Sequence, residues 1–179
     1  MGYLKTCKAV IAGIVLVFAS FGTAFSLELR SPAFEEGGKI PDKHTCVGEN
    51  VSPQLFWDDV PEGTKSFVVL MDDPDAPMGN WVHWVVFDIP GSAKGIVENV
   101  LPEAALPDGA KQGMNSFRWP GYGGPCPPPG SRHRYVFTLF ALDSLLDGVP
   151  ALASRSTVIR AMQGHILGTA ELTGTYGRE

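Results

Sequence analysis

Cysteine is scarce in this sequence, with three among 179 residues, and positive charge is short as well. Fourteen lysines and arginines stand against 19 acids, a formal net charge of −5. That balance argues against nucleic acid or an anionic membrane surface as the partner. Charged residues of both signs make up only 18% of the chain against 44% hydrophobic, which excludes a disordered polymer. Internal repeats and low-complexity linkers are missing, so one domain is expected. Long apolar runs are missing beyond residues 9–21, and that run is too short to span a bilayer comfortably. What the chain has in quantity is Gly (21) and Pro (15). Both punctuate turns and point to a β-rich architecture.

The N-terminus reads as a targeting segment. Lys5 and Lys8 precede the apolar run, and Gly22-Thr23-Ala24-Phe25-Ser26 follows it with small residues where a signal peptidase reads. Basic, apolar and small, in that order, is the pattern of a secretory signal. Residues 1–26 are therefore expected to be removed after Ser26, leaving a domain of residues 27–179 and a net charge of −7. The absence of a cysteine at the cut argues against a bacterial lipid anchor. The product is expected to be exported, either periplasmic or secreted. Cys7 leaves with the signal, and Cys46 and Cys126 remain. An even count in an oxidising compartment predicts that they pair.

Three runs read as strands apolar on both faces: residues 66–71, 82–89 and 134–142. Residues 55–57 and 171–176 are weaker strand candidates. A helix is predicted from an N-cap at Ser154 or Ser156, with Val158, Ile159, Met162 and Ile166 on one face and Gly168 as its stop. Residues 103–106 read as a single helical turn. The fold class is mainly β, an antiparallel sandwich with one or two peripheral helices.

Polar residues interrupt the strand ends. Asp73 closes the first long strand within Asp72-Asp73-Pro74-Asp75-Ala76-Pro77, and His83 opens the next. Antiparallel pairing would make Asp73 and His83 neighbours at one sheet edge. His133 opens the third strand after a Gly/Pro loop, on the strand face of Tyr135, Phe137 and Leu139. Simple alternation places His83 with Val85, Phe87 and Ile89. His44 is expected in solvent and His165 on the helix as a structural histidine. Each feature alone has an ordinary explanation, a turn or a satisfied core residue. Together they place three polar groups beside two rigid proline loops.

Three stretches resemble the phosphatidylethanolamine-binding protein family, in particular its bacterial Raf kinase inhibitor-like branch. They are Asp-Pro-Asp-Ala-Pro at 73–77, Trp81-Val82-His83-Trp84, and Gly-Pro-Cys-Pro-Pro-Pro-Gly at 124–130 followed by His133-Arg134-Tyr135. Gly48-Glu49-Asn50-Val51-Ser52-Pro53 and Leu172-Thr173-Gly174-Thr175-Tyr176 are similar to that branch too. The resemblance implies a sandwich with a small cavity at one end for phosphate-like or carboxylate anions and a phospholipid head group. It assigns to that cavity Asp73, Asp75, Trp81, His83, Pro125, Pro127, Pro128, His133 and Tyr135. It implies a regulatory or inhibitory binding module rather than an enzyme, with no metal and no cofactor. An unidentified protein partner and a homodimer are compatible with it. Many animal and plant members carry a longer loop with a tyrosine between the first two motifs. This chain has Met78-Gly79-Asn80, so kinase binding is not implied. The alternatives are a hydrolase with His83 or His133 as general base, and a protease or kinase inhibitor acting through surface loops.

Overall fold

The computed structural model describes residues 1–2 and 26–179; the expected signal segment lies almost wholly outside the described residues. The strands are β1 (Glu28–Arg30), β2 (Leu55–Asp58), β3 (Ser66–Asp73), β4 (Trp81–Pro90), β5 (Gly95–Ile96), β6 (Lys111–Gln112), β7 (Arg132–Leu142) and β8 (Ile166–Gly177). One α-helix, α1 (Arg155–Met162), lies between β7 and β8, and a short 3₁₀ turn covers Asp42–His44. Five strands form one antiparallel sheet in the order β6-β4-β3-β7-β8, and three form a second in the order β1-β2-β5.

The hydrophobic pattern explains the layering. β3 is buried at every residue, because both faces of the large sheet are covered. On one face Phe67, Val69, Met71, Trp84, Val86 and Phe137 pack against Leu29, Leu55 and Trp57 of the small sheet. On the other, Val68, Leu70, Val85 and Phe87 pack against Val158 and Met162 of α1 and against Leu146 and Val149. A strand covered twice has no polar face to show, hence the continuous apolar runs. β7 departs from that expectation. Its burial alternates over its first half, because its outer face lies beyond the reach of the helix.

Ser154 caps α1, its hydroxyl accepting from the Thr157 backbone N–H at 3.2 Å. The helix is shorter than its apolar spacing predicts. Gly164 adopts φ +84°, a left-handed conformation that ends the helical path. Ile166 consequently starts β8 instead of closing the helix, and His165 lies in the intervening turn. Residues 103–106 are not helical. The Ala104 carbonyl accepts from Gln112 and the Leu106 N–H donates to Ala110, drawing the segment against β6 as extended chain.

β4 carries two bulges. Met71 pairs with Trp84 but Asp72 with Val82, so His83 is an extra residue. Between the Phe67–Ile89 and Val69–Val86 pairs a second extra residue includes Asp88, at φ +56°. A bulge reverses the alternation of side chains beyond it. This corrects the expected face of His83. Val85 and Phe87 point to the helix side, whereas the His83 ring packs edge-on against Tyr135 in the core between the sheets.

Candidate functional site

The site forms where β3 ends, β4 begins and β7 begins. Asp73 and Trp81 are directly paired across β3 and β4, and the loop 74–80 joins them. β7 flanks β3 on its other side and brings His133 to the same end of the sheet. There the His133 Nδ1–H donates to Asp73 Oδ2 at 2.7 Å, and both side chains are buried. His83 Nδ1–H donates to the carbonyl oxygen of Gly123. The bulge in β4 is what turns His83 toward this end of the core.

These groups line one pocket of about 320 Å³, together with Pro77, Met78, Phe117, Cys126, Pro127 and Pro128. Its walls are mostly apolar and its polar groups few, the usual build of a small-molecule site. Trp81 and His83 both meet Phe117 edge-on at 5.3 Å, and Phe117 stacks on Trp119 at 4.9 Å. Phe117 was not anticipated from sequence. It sits in a turn closed by Asn115, which accepts from the Phe117 N–H, and such a turn shows only as a polar, glycine-rich stretch.

The opposite wall is 124–128. Cys126 is bonded to Cys46, as predicted, with Cα atoms 5.4 Å apart. Three hydrogen bonds dock the same wall on the loop around the 3₁₀ turn. Cys46 N–H donates to Pro125 O at 3.1 Å, Gly124 N–H to Asn50 Oδ1 at 2.8 Å, and the Tyr122 hydroxyl to His44 O at 2.7 Å. His44 is therefore buried rather than solvated, with its Nδ1 on Val51 O at 2.9 Å.

Three of the anticipated residues lie behind the pocket rather than in its lining. Asp75 accepts from the Arg134 backbone N–H at 2.9 Å and from its guanidinium at 3.0 and 2.7 Å, pinning the 74–80 loop to β7. That pairing lowers the Asp75 carboxyl to about 2. Pro125 offers its carbonyl to Cys46. Tyr135 is fully buried beneath His83, and its hydroxyl has no hydrogen-bond partner. Burial first, and the Asp73 charge second, push Tyr135 far above the usual phenol range. Burial also lowers His83, more than the Gly123 carbonyl and the Asp73 and Asp72 charges raise it. The His83 ring is thereby held neutral at physiological pH.

A sequence profile of the phosphatidylethanolamine-binding protein matches residues 30–177. The chain belongs to the phosphatidylethanolamine-binding protein family. Among family relatives, the UPF0098 protein of Methanothermobacter thermautotrophicus is 51% identical over 152 residues, covering 85% of this chain and 99% of that one. The UPF0098 protein of Aquifex aeolicus is 45% identical over 172 residues, covering 95% and 100%. Among solved structures, E. coli YbcL, described as a new member of the mammalian PEBP family, superposes with a TM-score of 0.78. It is 35% identical, over 86% of this chain and 99% of that one. The PEBP homologue CT736 of Chlamydia trachomatis gives the same TM-score at 37% identity, over 87% and 99%. The antiparallel sandwich described above is thus the fold of the family.

Proposed function

We propose that the protein is an exported binding module that holds a small oxyanion, a phosphate-like ion or a phospholipid head group, between His83 and His133, and acts in regulation or inhibition. The observation that carries the reading is the commitment of both imidazoles. Each ring is fixed through Nδ1, His133 by Asp73 and His83 by Gly123, and each has Nε2 left for a ligand. Apolar walls and the Trp81–Phe117 pair supply shape around that polar end. The absence of lysine and arginine from the described lining makes weak, millimolar-class binding of free anions the expectation. Export is supported by the N-terminal segment and by the Cys46–Cys126 bond.

One observation favours a hydrolase as a second reading: the Asp73–His133 pair has the orientation of a general base and its positioning carboxylate. The described lining offers it no serine or threonine nucleophile, and Cys126 is locked in the disulfide. The binding reading is tested by thermal unfolding with and without phosphate and phosphoethanolamine. Ligand at about 100 times its Kd should stabilise by about 2.7 kcal/mol. His83→Ala and His133→Ala should each abolish that rise. Export is tested by the N-terminus of the secreted product, expected at Leu27.

A further inference from the structure

We infer that the pocket selects its ligand by hydrogen content: it takes oxyanions that carry a proton, such as hydrogen phosphate and phosphomonoesters, and discriminates against bare ones such as sulfate and phosphodiesters. This rests on the anion-binding reading above and goes beyond it by naming the ligand class.

The argument is an inventory of donors and acceptors. A carbonyl oxygen only accepts, so the His83 Nδ1 facing Gly123 O carries a hydrogen. A carboxylate also only accepts, so the His133 Nδ1 facing Asp73 carries one too. In a neutral ring Nε2 is then a lone pair. The polar atoms these rings and Asp73 offer the pocket are therefore acceptors. The Trp81 indole is the single permanent side-chain donor of the described lining, and no lysine or arginine joins it.

Charge on the surrounding elements has the same sign. On β3, Asp72 is held by Arg155 of α1 at 2.8 Å and Asp73 by His133. In the 74–80 loop, Asp75 is held by Arg134 of β7. Tyr135 of β7 is buried and protonated beneath His83, and β8 places Tyr176 opposite His133. Both guanidinium groups are engaged elsewhere. A bare anion entering here makes no hydrogen bond to these three acceptors and is repelled by Asp73. An oxyanion with its own O–H satisfies one acceptor. A proton drawn from solvent onto an imidazole Nε2 converts another into a donor. The burial that keeps His83 neutral in the free protein means that this proton arrives with the anion.

The test is calorimetric titration of the purified protein at pH 7 with four probes: inorganic phosphate, methyl phosphate, sulfate and dimethyl phosphate, each in buffers of differing ionisation heat. Phosphate and methyl phosphate should bind, with net proton uptake from the buffer and affinity rising as pH falls. Sulfate and dimethyl phosphate should bind at least about ten-fold more weakly. Asp73→Asn, which puts an amide donor where the carboxylate was, should bring the phosphate-to-sulfate ratio towards one. The proton count in the unaltered protein keeps the test independent of whether that variant folds. Equal affinity for phosphate and sulfate without proton uptake overturns the inference and leaves the anion-binding reading standing. Failure of all four probes to bind removes that reading, and the inference with it.

Discussion

Replacing both Cys46 and Cys126 by serine separates two roles of the cross-link, restraint of the unfolded chain and shaping of the pocket wall. The disulfide joins residues 80 apart in sequence. Chain-entropy reasoning gives about 4.5 kcal/mol of stabilisation for a loop of that size at 25 °C. For a domain of this length the midpoint moves about 2–4 °C per kcal/mol, so the double variant should melt about 9–18 °C lower. Its urea m-value should rise, because an uncross-linked chain exposes more surface on unfolding. The wall itself should stay docked, since the hydrogen bonds from Cys46 N–H, Gly124 N–H and the Tyr122 hydroxyl do not need the sulfurs. Phosphate affinity at 15 °C should therefore change less than about three-fold. The assay is paired calorimetric and urea unfolding with a phosphate titration of the still-folded variant. A midpoint that barely moves while phosphate binding disappears would refute the reasoning, because the bond would then be shaping the site.

Three further predictions concern single residues. A Cβ on Gly124 would sit 2.5 Å from both the His44 carbonyl oxygen and Asn50 Oδ1, so Gly124→Ala should cost about 1–3 kcal/mol in urea unfolding and weaken phosphate binding. The His83 proton affinity in the folded protein lies below its ordinary value of 6.5, so the unfolded chain binds that proton first. Stability should fall as pH drops below about 6.5, and His83→Gln should flatten that part of a stability-versus-pH curve. Asp75→Asn should move the melting midpoint little at pH 7, because the Arg134 pair is open to solvent. The pair's contribution is present above about 3.8 and lost as pH falls towards about 2, so variant and parent should converge there in acid unfolding.

The long strands were legible because burial on both faces leaves one unbroken signature, as in Phe67-Val68-Val69-Leu70-Met71. β1, β5 and β6 run two or three residues, too few for any period to register. The first half of β8 was read as helix because Ile166 falls at helical spacing from Met162. Only Gly164 in the left-handed region shows that the chain has turned. The motif residues Asp73, Trp81, His83, Pro127, Pro128 and His133 do meet in the pocket. The face of His83 was not readable, since a bulge is decided by how β4 registers on β3 rather than by its own residues. Asp75 was a pocket candidate because carboxylates beside histidines usually act together; Arg134, adjacent in sequence to His133, captures it instead. His44 looked solvated because its polar neighbours hide the fact that the Tyr122 wall lies over it.

The most direct measurement is nitrogen-15 NMR of the imidazole rings during a phosphate titration. Before ligand, His83 should show a protonated Nδ1 and a bare Nε2, as its bond to Gly123 and its burial require. On addition of phosphate the Nε2 resonances of His83 and His133 should move together and saturate, while those of His44 and His165 stay still. A titration in which neither pocket ring responds, or in which all four respond alike, would contradict the account.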